Sequence, residues 1–361
     1  MQSKQNLLGY SLESLEDFFL KNKESKYRAK QLLKWVHQKG IIDFDLMTDF
    51  NKDLRKKLNK IAYIKPPSIH EEHISEEGTI KYVVELESGS MIEMVEIPEK
   101  KRRTLCVSSQ AGCALQCTFC ATGAQGFEQN LDSHEIIGQL WLSNFHKKHN
   151  KPITNVVFMG MGEPLLNFDA VIESAKIMKH QLAYGLSRKR ITISTSGIVP
   201  NIKKLHDKID VSLAISLHAA DDKLRDEIVP INNKYPISSL IKACTDYLNH
   251  YQNKRSITIE YILIEGVNDS IEHAKKLTRL LSRLSCKINL IPFNSFNGSS
   301  YKRPSNKKIN IFKDYLMNKG YITTLRITRG DAIDGACGQL VGSLNNSITV
   351  SYTHLRAHET S

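Results

Sequence analysis

The sequence predicts an α/β fold in which a parallel sheet, wrapped by helices, forms a partial barrel. Three observations predict it. Apolar strand patterns alternate with helical patterns from residue 104 onward, six such βα units are present, and polar or cysteine-rich loops follow the strand ends. Repeated βα units imply a parallel sheet covered by helices. Six units indicate an open or partial barrel, a (β/α)6 arrangement rather than a complete eight-fold one.

A small helical accessory domain is predicted over residues 1–65. Apolar residues recur at helical spacing around Leu15 and around Leu32, with basic residues between them. Apolar stripes of this kind pack into a core, and the basic side is suited to RNA.

A β-hairpin extension is predicted over residues 66–103. The pair Pro66-Pro67 ends the helical part. Residues 80–86 then alternate between apolar and polar, and residues 91–97 return as their partner after a Ser-Gly turn.

The barrel itself is predicted over residues 104–340. Its strands are expected at 104–108, 155–159, 191–194, 211–216, 257–263 and 288–291, with helices such as 133–145, 169–182, 237–251 and 271–284 between them. The final segment, 341–361, has no clear periodicity, so we leave it unassigned and outside the fold.

Three cysteines follow the first barrel strand with the spacing C-x3-C-x2-C: Cys113, Cys117 and Cys120. Cysteine thiolates hold iron–sulfur clusters, and three thiolates leave one of the four irons of a cubane open. We expect the amino and carboxylate groups of S-adenosylmethionine (SAM) to bind that iron. A structural zinc site needs four ligands, and the sequence has no second C-x2-C pair. A disulfide framework is not expected in a long chain with few, clustered cysteines.

A glycine-rich loop, Gly160-Met161-Gly162-Glu163, follows the second strand. Glycine lets the backbone approach a ligand closely, and the Glu163 carboxylate can accept a hydrogen bond from an ammonium group. Alone, this pattern is an ordinary turn with a surface glutamate; beside a three-cysteine motif, it predicts part of the SAM site.

Polar residues at three further strand ends are candidate contacts of the same ligand. Ser194, Ser216 and Asn294 can bind ribose hydroxyls and the carboxylate. His218 is either a ligand contact or a packed histidine, and the sequence leaves both readings open.

Two cysteines outside the motif, Cys106 and Cys337, stand at opposite ends of the predicted barrel. Closure of a barrel can bring its first strand and the segment after its last strand together. Flanking glycines indicate a mobile loop at Cys337, and the alternative is a buried cysteine beside a turn. Cys244 and Cys286 lie in helix patterns, and we assign both to packing.

Composition narrows the class of protein further. The chain has 361 residues, with 50 Lys and Arg against 38 Asp and Glu, a net charge of +12. Such an excess attracts polyanions, although an inert basic surface is the alternative. The first residues lack an apolar signal region and no run is long enough to span a bilayer. We therefore expect a cytoplasmic location and no membrane partner. We also expect a monomer.

From about residue 10 to residue 340, the sequence resembles the RlmN-type radical SAM methyltransferases of the RlmN/Cfr family. The matching strings are LCVSSQAGCALQCTFCATGAQGF, VVFMGMGEPLLN, ITISTSGIVP, AISLHAA, IPFN and RGDAIDGACGQL. The resemblance implies a radical SAM barrel with an N-terminal accessory domain, a [4Fe-4S] cluster, SAM, and an electron donor such as flavodoxin. It implies methylation at C2 of adenosine in the peptidyl-transferase region of 23S rRNA and beside the anticodon of tRNA.

The resemblance also implies roles for single residues. Cys113, Cys117 and Cys120 match the cluster ligands, and the SAM contacts match Gly162, Glu163, Ser194, Ser216, Leu217, His218 and Asn294. Cys337 matches the methyl-carrying cysteine, Cys106 its resolving partner, and Glu93 the proton acceptor. From the residues alone, Glu93 is also simply one carboxylate on a hairpin.

The implied reaction consumes two SAM molecules per turnover. The first methylates Cys337, and the second yields a 5′-deoxyadenosyl radical that takes hydrogen from the S-methyl group. The carbon radical adds to C2, tethering the RNA to the protein, and the C2 proton leaves, with Glu93 as acceptor. Cys106 then attacks the sulfur of Cys337, forming a disulfide and releasing methylated RNA.

Two alternatives remain open at this point. One is methylation of adenine C8, as in the related Cfr-type enzymes, which share the cluster and the cysteine pair. The other is a non-catalytic RNA-binding iron–sulfur protein, which would need neither Cys337 nor Glu163.

Overall fold

A ten-stranded sheet forms the centre of the structure, a computed structural model that describes residues 4–146, 151–251, 255–326 and 330–340. The strands in chain order are β1 (Gln5–Asn6), β2 (Ala62–Tyr63), β3 (Ser68–Ile74), β4 (Ile80–Glu85), β5 (Met91–Pro98), β6 (Arg103–Cys106), β7 (Gln110–Gly112), β8 (Phe127–Asn130), β9 (Asn155–Phe158), β10 (Ile191–Thr195), β11 (Ser212–Ser216), β12 (Ile257–Leu263), β13 (Cys286–Pro292) and β14 (Thr323–Leu325). The order in the large sheet is β14-β13-β12-β11-β10-β9-β6-β5-β4-β3.

Seven strands of this sheet, β6 and β9 to β14, run parallel. They confirm the predicted α/β fold with a partial barrel and its six strands. The seventh, β14, is not predicted by the sequence. It has only three residues at the edge of the sheet, too few to show a period.

The antiparallel half of the sheet, β3 to β5, continues the barrel sheet through the pairing of β5 with β6. β4 and β5 are the two predicted hairpin strands. The sequence does not predict β3, because its residues SIHEEHI are mostly polar and none is buried. This part of the chain is therefore a three-stranded extension of the barrel rather than a separate hairpin.

Helices cover the sheet and form the N-terminal module. They are α1 (Leu12–Lys21), α2 (Tyr27–His37), α3 (Lys52–Ile61), α4 (Ala121–Gln125), α5 (Ser133–Phe145), α6 (Phe168–Lys179), α7 (Val199–Lys208), α8 (Asp222–Ile228), α9 (Ile237–His250), α10 (Ile271–Leu280) and α11 (Asn306–Asn318). Within the described ranges, no helix has the length and apolar character to span a bilayer. The tail 341–361 lies outside the described residues.

The N-terminal module packs directly against the barrel. Side chains of Ser11 and Asn51 cap α1 and α3 by accepting backbone N–H bonds. The indole of Trp141 on α5 donates to the carbonyl of Val36 on α2 over 3.1 Å. A Cβ at Gly9 would lie 2.2 Å from the backbone nitrogen of His134, so only glycine allows this close approach.

The register of the parallel strands separates an apolar face from a polar one. Ile193, Leu213 and Ile259 are buried on the face that contributes to the main hydrophobic core. Ser216, Glu260 and Asn289 stand in adjacent register positions on the opposite, inner face. The inner face therefore carries polar side chains toward the carboxyl ends of the strands.

Candidate functional site

A cavity opens at the carboxyl ends of the parallel strands, where ligand sites of this architecture collect. It has a volume of about 940 Å3, part of it open to solvent. Nine of the sequence-predicted site residues line it: Cys113, Cys117, Cys120, Gly162, Glu163, Ser194, Ser216, His218 and Cys337. Among the described residues, four predicted ones do not line it: Glu93, Cys106, Leu217 and Asn294.

The three motif cysteines lie on the loop between β7 and α4. The backbone N–H of Cys113 donates to the Gly126 carbonyl over 2.8 Å, and that of Cys120 to the Cys117 carbonyl over 3.1 Å. Gln116 has a positive φ of 54°, which turns the loop back on itself. The loop is thereby folded so that all three thiols share one cavity.

Burial raises the pKa of each of these thiols, that of Cys113 to about 12. The cysteines also raise one another's pKa, since two neighbouring thiolates repel. A bound cluster reverses this balance, because metal ions hold thiols in the deprotonated form. Three half-buried cysteines on one short loop fit a [4Fe-4S] cluster with one iron left for a ligand in the cavity.

The Gly162–Glu163 loop closes one side of the cavity. Gly162 has φ of 90°, and a Cβ there would lie 2.4 Å from Cβ of Gln110. Oε1 of Gln110 accepts the backbone N–H of Glu163 over 2.8 Å. The loop therefore requires glycine, for its backbone angle and for its close neighbour.

The carboxylate of Glu163 is buried and already accepts two backbone N–H groups, from Ser196 at 2.8 Å and from Leu165 at 3.0 Å. Burial raises the pKa of Glu163, and these hydrogen bonds oppose the rise. A carboxylate has room for further donors, so a ligand ammonium can still bind it. Glu163 also ties the loops after β9 and β10 together.

Ser194 and Ser216 end neighbouring strands, and their hydroxyl oxygens lie 3.4 Å apart. His218, two residues further, has a positive φ of 64°, and its Nδ1 accepts the N–H of Ile262 over 3.1 Å. Burial lowers the pKa of His218 to about 3, so its ring is neutral. The ring packs edge-on against Phe119 while it lines the cavity. His218 is therefore packed against an aromatic ring and is also part of the cavity lining, as the two interpretations of the sequence predicted.

Leu217 and Asn294 support the cavity from behind its lining. The N–H of Leu217 donates to the carbonyl of Glu260 over 3.1 Å. Nδ2 of Asn294 donates to the carbonyl of Cys337 over 3.2 Å.

Cys337 is half-buried and lies on a segment bonded to the cluster loop. The N–H of Ala121 donates to the Gly338 carbonyl over 2.8 Å, and the hydroxyl of Thr122 donates to the Leu340 carbonyl over 3.3 Å. The Cys337 thiol therefore faces the same cavity as the three motif cysteines.

Cys106 ends β6 and is buried. The pKa of Cys106 is raised to about 12, mainly by burial and to a lesser extent by the Cys337 thiol, while Arg326 opposes the rise. The two thiols are therefore close enough to interact electrostatically, although they stand far apart in the sequence. Both are free thiols here.

Glu93 lies on β5, with its carboxylate 3.1 Å from Nζ of Lys81, and both side chains are almost completely inaccessible to solvent. Its backbone N–H contacts Sδ of Met161 at 3.2 Å, and the Ser108 hydroxyl donates to its carbonyl. The strand position of Glu93 is thus fixed by the loops that follow β6 and β9.

Three residues of this region are not predicted by the sequence: Arg225, Glu260 and Lys81. Glu260 lines the cavity, and burial raises its pKa. A carboxylate in the middle of the apolar strand ITIEYIL is a signal that could have identified it. Arg225 and Lys81 carry no comparable signal, because a single basic residue in a helical or strand pattern does not indicate that it is buried or which groups it bonds.

Comparison with known proteins gives consistent matches along the chain. Residues 5–64 match the ribosomal RNA large subunit methyltransferase N-terminal domain, and residues 107–278 match the radical SAM superfamily. The chain is 51% identical to a protein of Pseudomonas putida (strain F1) named dual-specificity RNA methyltransferase RlmN, over 99% of this chain and 95% of that protein. It is 53% identical to the protein of the same name from Pseudomonas entomophila, over 95% and 92% respectively.

A solved structure resembles the whole fold. The radical SAM methyltransferase from Sphaerobacter thermophilus superposes with a TM-score of 0.87 at 39% identity, covering 94% of this chain and 99% of that one. The likeness therefore includes the N-terminal module and the barrel together.

Proposed function

This chain belongs to the RlmN family of radical SAM RNA methyltransferases, and we propose that it methylates C2 of adenosine in the peptidyl-transferase region of 23S rRNA and beside the anticodon of tRNA. The observation that carries the proposal is that the three motif cysteines, Glu163 and Cys337 line one cavity. A protein that only bound RNA would need neither the ammonium acceptor nor the extra thiol. The net charge of +12 supports an RNA partner.

We assign the cofactor contacts from the cavity lining. Cys113, Cys117 and Cys120 hold the [4Fe-4S] cluster, which when bound supplies the electron for reductive cleavage of SAM. Glu163 accepts the SAM ammonium, and Gly162 permits the close approach of the ligand. Of the remaining proposed SAM contacts, Ser194, Ser216 and His218 line the cavity, whereas Leu217 and Asn294, which the family resemblance implies, lie behind its lining.

We assign the covalent steps to the two further cysteines. The Cys337 sulfur accepts a methyl group from SAM and then carries the one-carbon unit to C2 of adenine, which tethers the RNA to the protein. The Cys106 thiolate attacks the Cys337 sulfur and forms a disulfide, while the bond from that sulfur to the CH2 group breaks and the CH2 group takes up a proton to become the methyl group of the released RNA. The electrostatic interaction between the two thiols supports this pairing.

We assign the C2 proton to Glu93. Its strand position, which the loops after β6 and β9 fix beside the cavity, supports this role. The target base must leave its stack, which is easiest in an unpaired RNA loop.

The partners and the division of the chain complete the proposal. We propose a flavodoxin-type electron donor and a monomer that acts in the cytoplasm. Residues 1–65 serve as the accessory RNA-binding domain, 66–103 as the β extension, and 104–340 as the catalytic barrel.

The test is mass spectrometry of RNA digests after incubation of reconstituted protein with 23S rRNA fragments and tRNA, SAM and a reductant. We expect C2-methyladenosine in both RNAs and 5′-deoxyadenosine as co-product. C8-methyladenosine would instead indicate the Cfr-type reaction. Absence of 5′-deoxyadenosine would overturn the proposed chemistry.

A further inference from the structure

We propose that Arg225 is a positioning residue that fixes the SAM-binding edge of the cavity. This inference rests on the proposed function, because it takes the cavity to be the SAM site. Arg225 lies on α8, and its side chain is fully buried.

The guanidinium joins the loops after two neighbouring strands. Nε donates to the carbonyl of Leu217 over 2.9 Å, and Nη2 donates to the carbonyls of Ser196 at 2.6 Å and Ser216 at 3.2 Å. All three acceptors follow or end β10 and β11, at the carboxyl edge of the sheet. One planar side chain therefore sets the spacing of the two loops.

The hydrogen bonds of Arg225 extend through Ser196 to Glu163, the proposed acceptor of the SAM ammonium. The peptide after Thr195 places the N–H of Ser196 against Oε2 of Glu163, while the Ser196 carbonyl accepts from Arg225. A chain of hydrogen bonds thus runs from Arg225 through Ser196 to Glu163. Displacement of Arg225 would move the carboxylate that we assign to SAM.

The remaining nitrogen of Arg225 is held from the other side. Nη1 donates to Oδ1 of Asn232 over 2.8 Å, and Nδ2 of Asn232 donates to Asp222 and Asp226 over 2.9 and 2.7 Å. A planar guanidinium can make these divergent bonds simultaneously, whereas the single ammonium of lysine cannot. The geometry therefore requires arginine.

The charge of Arg225 is retained despite its burial. Desolvation lowers the pKa of Arg225 to about 10, so the group is still protonated at neutral pH. The guanidinium therefore keeps all of its N–H donors for the hydrogen bonds described above.

Arg225→Lys tests the positioning role, because lysine keeps the charge and loses the planar set of bonds, and Arg225→Met removes both. The matched control is Arg103→Met, which removes another buried arginine, bonded to Glu96 at the opposite end of β6. In reconstituted protein, we measure the iron content and the SAM dissociation constant by calorimetry.

We expect both Arg225 variants to bind SAM at least about tenfold more weakly than the wild type. Arg103→Met should leave the SAM affinity unchanged. Equal SAM affinity in the Arg225→Lys variant and the wild type would overturn the positioning role.

A second measurement covers variants that assemble little cluster. In the protein without cluster, hydrogen exchange at the Ser196 amide should be faster in Arg225→Lys than in the wild type, beyond any global change. Wild-type protection at Ser196 would overturn the proposal. Failure of the wild type itself to bind SAM would count against the proposed function and leave the hydrogen-exchange result to decide on Arg225.

Discussion

The backbone N–H of Ala121 donates a hydrogen bond to the carbonyl of Gly338 over 2.8 Å. Ala121 directly follows the last motif cysteine, and Gly338 directly follows Cys337. Because each partner is joined to a cysteine by one peptide bond, this hydrogen bond fixes Cys337, the proposed methyl carrier, relative to the proposed cluster. Such fixed placement is what group transfer between two bound partners requires.

Cys337→Ala should abolish methylation. Without the thiol there is no acceptor for the methyl group, so neither methylated RNA nor a protein–RNA adduct should form. Cys286→Ala is the matched control, because Cys286 is also half-buried but begins β13 at the other end of the sheet. Mass spectrometry of the RNA and of the intact protein checks both. Residual methylation in Cys337→Ala would contradict the assignment.

Cys106→Ala should form the covalent protein–RNA adduct and fail to release it. The variant keeps Cys337 and loses only the attacking thiol. Cys244→Ala is the control, since Cys244 is equally buried and its pKa is also raised to about 12. Denaturing gels with labelled RNA report the adduct, and normal turnover by Cys106→Ala would show that another group releases the product.

Release of the adduct should accelerate with pH. The thiolate is the attacking species, and burial raises the pKa of Cys106 to about 12. Between pH 7 and pH 9 the thiolate fraction is therefore small and grows about tenfold per pH unit. Single-turnover release of a preformed adduct measures this slope. A rate independent of pH over this range would mean that thiolate formation does not limit release.

Gly162→Ala should weaken SAM binding strongly. The added Cβ would meet Gln110 at 2.4 Å, and Gln110 also orients the Glu163 amide. The control is Gly320→Ala, because Gly320 has a similar φ of 84° but nothing within 4 Å of an added Cβ and lies outside the cavity. We expect Gly320→Ala to lose some stability, through backbone strain, and to bind SAM normally. Equal SAM affinity of the two variants would contradict the role of Gly162.

Most of the residues that line the cavity can be predicted from the sequence, because one topological rule determines where the cavity lies. Strand ends of a parallel sheet meet at one edge, so the loops after 104–108, 155–159 and 191–194 could be brought together without coordinates. This rule does not predict the exposed edge strand β3 or the three-residue β14, since neither shows an apolar period. It does not predict Arg225 and Lys81 for another reason. The roles of these two residues depend on contacts that form only in the folded chain.

Lys81→Met should destabilise the protein and impair loss of the C2 proton. The Lys81–Glu93 pair is almost completely buried, and removal of one partner of such a pair costs about 3–5 kcal/mol. The Glu93 carboxylate then loses the ammonium that holds it in position, so loss of the C2 proton should slow. Denaturant unfolding measures stability, and mass spectrometry of the RNA measures methylation, in Lys81→Met and in the double variant Lys81→Met/Glu93→Gln. The double variant should regain stability, because both charges of the pair are absent, and should stay inactive. Recovery of methylation in the double variant would exclude Glu93 as the proton acceptor.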